Sequence, residues 1–190
     1  MTLPDETWQE LLNSDWHDHL GSGRREDRID RADWLQAFLK KLSTDLSGVP
    51  EAQVKAGLRA LRRVLQRHVA RITARGRADG RALDDLNRVL GRAPLTRRLA
   101  MRRGTPRIEM VPRARPLDAA IGEIAGAFAA VLAEGDLARI KICSNPDCLW
   151  VFYDRSKNRS RRWCEDATCG NLMKVRRFRR RSTAVGGPPA

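Results

Sequence analysis

Four cysteines, all in the last quarter of the 190-residue chain, constrain what this sequence can fold into more than any other feature. They form two Cys-x4-Cys pairs, Cys143 with Cys148 and Cys164 with Cys169, and 15 residues separate the two pairs. Two such pairs, each on a tight turn, can present four thiolates to one metal ion, and Zn²⁺ is the usual ion for such a ligand set. The spacing therefore predicts one zinc ion bound by these four residues.

Two disulfides are the alternative for the same four cysteines. The chain begins with an acidic segment, MTLPDETWQE, where a secretory signal would be basic and then apolar. No run approaches 18 consecutive apolar residues, so we expect neither a membrane span nor a membrane partner. A cytoplasmic protein keeps its thiols reduced, which favours zinc. Four thiolates leave no open position on the ion, so the zinc should be structural, and a module of about 40 residues should need it to fold.

The residues between the cysteines predict the fold of this module. Turn-forming residues fill positions 145–147, and the β-rich segment 149–153 predicts a strand. Residues 161–163 could return as a second strand, and Gly170 and Asn171 lead into a helix. The order of knuckle, hairpin and helix resembles a treble-clef finger of ββα type.

The first two thirds of the chain show apolar residues at helical spacing. One predicted helix begins near Trp8, and a second follows a cap at Asp30. Three further helices are predicted over about 50–73, 83–90 and 116–135. Helical spacing disappears over 95–112, where the turn sequence 104–106 predicts a short β-hairpin. We therefore predict a mainly α protein with a helical domain over 1–138, the finger over 139–181 and a disordered tail over 182–190, which contains GGPPA.

Positive charge is concentrated in the finger. The whole chain carries a formal charge of +14, which predicts a polyanionic partner. Residues 139–181 hold thirteen Lys or Arg against four Asp or Glu, and no acid interrupts 174–181. A polar turn and the following helix therefore supply candidate contacts to nucleic acid. These are Lys157, Asn158, Arg159, Arg161, Arg162, Lys174, Arg176, Arg177, Arg179, Arg180 and Arg181, with Arg159 or Asn158 as the expected base reader.

The segment CSNPDCLWVFYDRSKNRSRRWCEDATCGN resembles the CGNR-type zinc finger, which is named for its final Cys-Gly-Asn-Arg. Cys169, Gly170 and Asn171 match that motif, and Leu172 replaces its Arg. This departure removes one cation but no metal ligand. The stretches LLNSDWHDHLGSGRREDRID and GRALDDLNRVLG are similar to the ABATE domain that usually precedes this finger. The pairing implies a bacterial transcription regulator, whose DNA binding is inferred in the family largely from its basic residues.

The resemblance also places the stretch 13–28 at a recurring family position, so Asn13, Trp16 and Arg28 are candidates to line a small-molecule effector pocket. His17 and His19 stand two apart and cannot share a helical face, so a surface or loop position is favoured over a metal site. No phosphate loop, nucleophile elbow or paired-carboxylate motif is present, which argues against an enzyme.

Three binding functions fit the sequence. In the first, the finger binds DNA while the helical domain senses a signal or dimerises. In the second, the same cations bind structured RNA. In the third, the finger is a protein-interaction module whose charge only adds solubility. The sequence leaves the oligomeric state open.

Overall fold

The computed structural model describes residues 6–78 and 80–185. Its helices are α1 Thr7–Leu12, α2 Ala32–Leu39, α3 Glu51–Arg75, α4 Gly80–Leu90, α5 Pro116–Glu134 and α6 Asn171–Val185. Its strands are β1 Asp15–His17, β2 Arg25–Asp27, β3 Leu95–Arg102, β4 Thr105–Pro112, β5 Ile140–Ile142 and β6 Val151–Tyr153. The strands pair as three antiparallel hairpins, β1–β2, β3–β4 and β5–β6. A mainly α protein with a small C-terminal finger is confirmed.

Helix α3 is the centre of the core. The predicted apolar stripe from Val54 to Ile72 is buried along its whole length, and the helix ends at Gly76, whose φ of 69° closes the last turn. Helices α1 and α5 pack against this stripe, where Trp8 and Phe128 lie with ring centroids 5.2 Å apart. Helix α5 is long and apolar enough to cross a membrane, but its buried face packs on α1, α3 and α4, as a core helix does.

The predicted hairpin over 95–112 is present as β3–β4. Its two-residue loop consists of Arg103 and Gly104, with φ of 49° and 77°. Positive φ at both loop residues gives a turn whose twist matches that of antiparallel strands, and Gly adopts it without strain. The eight residues of β3 pair with the eight of β4 without a bulge.

Two local predictions are wrong. Asp30 does not cap α2, because it lies in a 3₁₀ turn, Arg28–Asp30, which the carboxylate of Asp27 caps by accepting from the Ile29 N–H. Residues 161–163 form no strand. The partner of β6 is instead β5, which precedes the first cysteine, and its residue Ile140 is buried in the core.

The predicted disordered tail, 182–190, differs from the structure over 182–185. Helix α6 continues to Val185, so 182–185, expected to be part of a disordered tail, are helical. The remaining tail, 186–190, lies outside the described residues.

The finger shares the core of the helical region. Ile140 and Val151 of the β5–β6 hairpin are buried among the residues that surround α3. The side-chain amide of Asn13 donates to the Val151 carbonyl at 2.9 Å, and its oxygen accepts from the Val151 N–H at 2.8 Å. Gln9 likewise accepts from the Tyr153 N–H at 2.9 Å. The two regions are thus joined by paired hydrogen bonds as well as by apolar packing. The independent folding of residues 1–138 stays a prediction.

Replacing Asn13 by Ala should destabilise the whole chain by about 2 kcal/mol, because it leaves a buried N–H and a buried carbonyl of Val151 without partners. Urea unfolding of the full-length protein measures this change. Asn158→Ala, in an exposed loop, is the control and should have little effect. Equal stabilities for both variants would contradict the role assigned to Asn13.

A partly buried ion cluster fastens β2 to α3. Arg62, only 9% exposed, donates to both carboxylate oxygens of Asp27 at 2.7 and 2.9 Å, and Arg59 donates to the same carboxylate at 2.8 Å. Burial alone would raise the pKa of Asp27, but these hydrogen bonds outweigh it and lower the pKa to about 2. Asp27 therefore stabilises the fold in its ionised form.

The stabilisation by Asp27 is present above its unfolded pKa of about 4 and is lost as the pH falls through about 2. Asp27→Asn should lower the free energy of unfolding at pH 7 by about 3 kcal/mol, because the buried Arg62 loses its counter-ion. The difference from wild type should shrink as the pH approaches 2. Asp33→Asn removes an exposed carboxylate with a similarly lowered pKa and should change stability far less. A pH-independent difference for Asp27→Asn would refute the linkage.

Candidate zinc centre and basic surface

The four predicted ligands converge on one point. Their Sγ atoms all lie within 4.8 Å of one another, with 3.6 Å between Cys148 and Cys164 and 3.7 Å between Cys164 and Cys169. Tetrahedral zinc with Zn–S bonds of about 2.3 Å places its sulfurs about 3.8 Å apart. The four sulfurs therefore have the spacing that one zinc ion requires, and the site is one structural zinc centre.

The electrostatics of the four thiols also call for a cation. The hydrogen bond from Cys148 lowers the pKa of Cys143 to about 2, whereas hydrogen bonding with Cys143 raises the pKa of Cys148 to about 12. The pKa of Cys164 is raised as well, first by its hydrogen bond with Cys143. One thiolate thus forms at the expense of its neighbours. A divalent cation removes this conflict, because it neutralises the repulsion among four thiolates.

Two local structures hold the ligands in place. The turn between β5 and β6 carries Cys143 and Cys148 and is closed by a 2.8 Å hydrogen bond from the Cys143 N–H to the Trp150 carbonyl. Cys169 lies in a wide helical turn, Asp166–Gly170, that leads directly into α6. The metal centre therefore fixes where α6 begins.

Asn145 supports the metal centre, a role that its sequence position in a turn did not reveal. Its side chain is fully buried, and its amide donates to the Cys169 Sγ at 3.4 Å and to the His19 carbonyl at 2.8 Å. An N–H donated to a ligating sulfur stabilises the thiolate form. Because His19 belongs to the β1–β2 loop, Asn145 also connects the metal centre to the helical region.

A buried carboxylate holds the basic turn between the cysteine pairs. Asp154 accepts from Lys141 at 2.6 Å, from the Ser156 N–H at 2.9 Å and from the Arg161 N–H at 3.0 Å. Burial would raise the pKa of Asp154, but the hydrogen bonds from Lys141 and Ser156 hold it well below its usual range. The ionised Asp154 thus fixes both ends of the turn.

Four of the predicted nucleic-acid contacts are engaged within the protein. Arg159 pairs with Asp136 at 3.0 Å, and Arg161 and Arg162 lie over the rings of Phe152 and Trp163, at 4.6 and 5.4 Å from the ring centroids. Arg176 pairs with Asp147 at 2.6 Å and donates to the Leu20 carbonyl at 2.8 Å. These contacts give the four arginines structural roles, and Arg176 in particular anchors α6.

The other seven predicted contacts are exposed, as are Arg159, Arg161 and Arg162. The seven are Lys157 and Asn158 on the turn and Lys174, Arg177, Arg179, Arg180 and Arg181 on α6. Burial of the apolar side chains decreases along α6. Leu172 is half-buried, whereas Val175 is 47% and Phe178 71% exposed.

The candidate effector residues lie where the two regions meet. The guanidinium of Arg28 lies over the ring of Trp16 at 5.6 Å and over the ring of Trp150 at 5.7 Å. The side-chain amide of Asn13 forms two hydrogen bonds with the backbone of Val151, so it is not available to line a pocket beside these rings. The structure therefore brings Trp16 and Arg28 together, and it adds Trp150 of the finger.

Purified protein should contain one zinc ion per chain by elemental analysis, since all four thiols are free and correctly spaced. Cys164→Ser should lose that zinc and unfold the finger, because three thiolates complete no tetrahedral shell. Ser160→Ala, in the exposed turn, is the control and should retain the zinc. Metal-free protein, or disulfides in protein isolated from cytosol, would overturn the assignment.

Comparison with known families agrees with this geometry. Residues 139–182 match the CGNR zinc finger, and residues 5–135 match the ABATE family, described as "Putative stress-induced transcription regulator". No curated protein shows significant similarity to the chain. Both families are non-enzymatic in kind. Since the ABATE match covers more than half of its length and the zinc-finger match follows directly, the chain belongs to the ABATE family and carries a C-terminal CGNR zinc finger.

Proposed function

We propose that this protein is a cytoplasmic transcription regulator that binds duplex DNA through α6 and the turn 157–162. The observation that supports this most is the exposure of a helix without acids that begins at the metal centre. Its exposed cations, from Lys174 to Arg181, suit the phosphates of a polyanion. The metal ion is coordinatively closed and fixes this helix, so its role in this proposal is structural and not catalytic.

The dimensions of α6 suit a DNA groove. Fifteen residues at about 1.5 Å per residue give a helix of about 22 Å, and the major groove, about 12 Å wide, admits a helix. Arg176 is a positioning residue in this arrangement, because its guanidinium is held by Asp147 and Leu20. Base reading falls to Asn158, since Arg159 is paired with Asp136.

Structured RNA is the second candidate polyanion. Recognition of unpaired RNA relies on aromatic side chains that stack on bases. In this finger Phe152 is 4% exposed and covered by Arg161, and the Tyr153 hydroxyl accepts from the Asp136 N–H at 3.1 Å. Because these rings pack within the protein, duplex DNA is the favoured partner.

The interface between the helical region and the finger is the proposed place of signal input. Arg28 lies between Trp16 and Trp150, one ring from each region, and its Nε is buried without a hydrogen-bond partner among the described residues. A small anionic or aromatic effector that competes for this guanidinium would change how the finger is held. In this proposal the effector acts on the position of α6 and not on the zinc.

Replacing Lys174, Arg177 and Arg181 together by Ala should weaken binding to duplex DNA and flatten the dependence of log affinity on log salt by about 3, since each lost phosphate contact removes roughly 0.9. These residues are spaced to share one face of α6. Fluorescence anisotropy with a labelled duplex, at salt concentrations from about 50 to about 300 mM, measures the affinity and its salt dependence.

The matched control removes three exposed arginines from the β3–β4 region, Arg103, Arg107 and Arg113, and should leave the salt slope nearly unchanged. An RNA hairpin of equal length, measured in parallel, tests the second candidate. Unchanged affinity and slope in the α6 variant would reject nucleic-acid binding by this helix and move the protein-interaction function to first place.

A further inference from the structure

The β3–β4 hairpin has one apolar face that is exposed to solvent. Residues directly opposite each other in an antiparallel pair share a face, and the register pairs Leu99 with Ile108 and Arg97 with Met110. We call this the apolar hairpin face; it consists of Leu95, Arg97, Leu99 and Met101 on β3 and Pro106, Ile108, Met110 and Pro112 on β4. The opposite face is polar, with Arg98 and Arg102 paired to Glu109.

This face is the largest departure from apolar burial among the described residues. Among the described residues nine large hydrophobic side chains are exposed, and five of them belong to the apolar hairpin face, with exposures from 53% for Met110 to 72% for Leu99. Together they expose on the order of 500 Å², which is as much as the largest patch on a typical monomer. Such a surface indicates a binding partner.

A groove continues from the base of the apolar hairpin face. It encloses about 510 Å³ between the hairpin and α5, and Leu95, Met110 and Pro112 form one wall. The α5 wall consists of small residues, Ala119, Gly122 and Gly126. The projecting hairpin and the groove therefore form one continuous apolar surface.

The charges at this surface are complementary. Arg97 is the one charged residue of the apolar hairpin face, and Glu123 is the one charged residue that lines the groove in the described part of the chain. The Glu123 carboxylate accepts from the Ser43 N–H at 3.0 Å and from the Ser43 hydroxyl at 2.7 Å, which holds it at the edge of the groove. A surface with one cation and one anion is close to neutral, although the whole chain carries +14.

We propose that this surface binds a second copy of the chain in a two-fold symmetric dimer, with the apolar hairpin face of each copy against the face and groove of the other. A two-fold contact uses the same patch twice, so it needs a projection and a recess on one surface, and both are present here. It also brings Arg97 of each copy towards Glu123 of the other. The exposed apolar area, on the order of 500 Å², would supply more than half of the roughly 800 Å² per partner of a stable interface.

Sedimentation velocity of the zinc-loaded, full-length protein over a range of micromolar concentrations tests the proposal. Wild type should sediment with twice the 21.5 kDa mass of one chain. Ile108→Glu should raise the dimer dissociation constant at least 100-fold, because it buries a carboxylate at the centre of the contact. Arg107→Glu is the matched control, since the same side chain then stands on the opposite face, and it should remain dimeric.

Zinc content and thermal unfolding establish that each variant is folded. Leu99→Ser is a second, milder variant on the same face and should weaken the dimer in the same direction. A wild-type protein that stays monomeric overturns the proposal and assigns the surface to a different partner. Dimers that survive both Ile108→Glu and Leu99→Ser also overturn it, because the contact then lies elsewhere.

Discussion

The antiparallel pairing of β5 with β6 joins metal binding to the main core. Within this short hairpin, Cys143 and Cys148 stand on the turn, while Ile140 and Val151 are buried beside α3. The zinc ion stabilises the turn, and the core of the helical region stabilises the strands. The finger is too small to form a hydrophobic core of its own, so its strands pack into the core of the helical region. As a consequence, the position of the finger depends on the helical region.

Features that depend on local sequence were predictable. The cysteine spacing, the stripe of α3, the Gly104 turn and Pro116 at the start of α5 each carry their signal in adjacent residues. The zinc site was predictable for the same reason, because four ligands of one kind in two pairs allow few arrangements.

Features that depend on distant contacts were not predictable. The pairing of β6 with β5 rests on the fit of Ile140 and Val151 into a core whose other members lie far along the chain. The strand predicted at 161–163 is absent because the contacts of Arg161 lie elsewhere. Its backbone N–H donates to the Asp154 carboxylate, and its guanidinium lies over the Phe152 ring. No residue near Asn13 indicates that its amide pairs with a backbone 138 positions away.

The number of positive charges does not distinguish one cation of the finger from another, but their contacts within the protein do. Arg159, Arg161, Arg162 and Arg176 lie against carboxylates, carbonyls or aromatic rings, although the first three are also exposed to solvent. Arg176 alone among these four lies on α6 and holds the start of that helix. Lys174, Arg177 and Arg181 are exposed along α6.

Helix α6 is anchored at one position, Arg176, and projects beyond it. The helix is held near its start by Asp147 of the metal-binding turn and by the Leu20 carbonyl of the β1–β2 loop, and it then extends about 14 Å to Val185. A rotation of the helix by about 15° about Arg176 would move its far end by nearly 4 Å, more than the length of a hydrogen bond. A shift of the β1–β2 loop that turned the helix would therefore be largest at the end of α6, farthest from the metal centre.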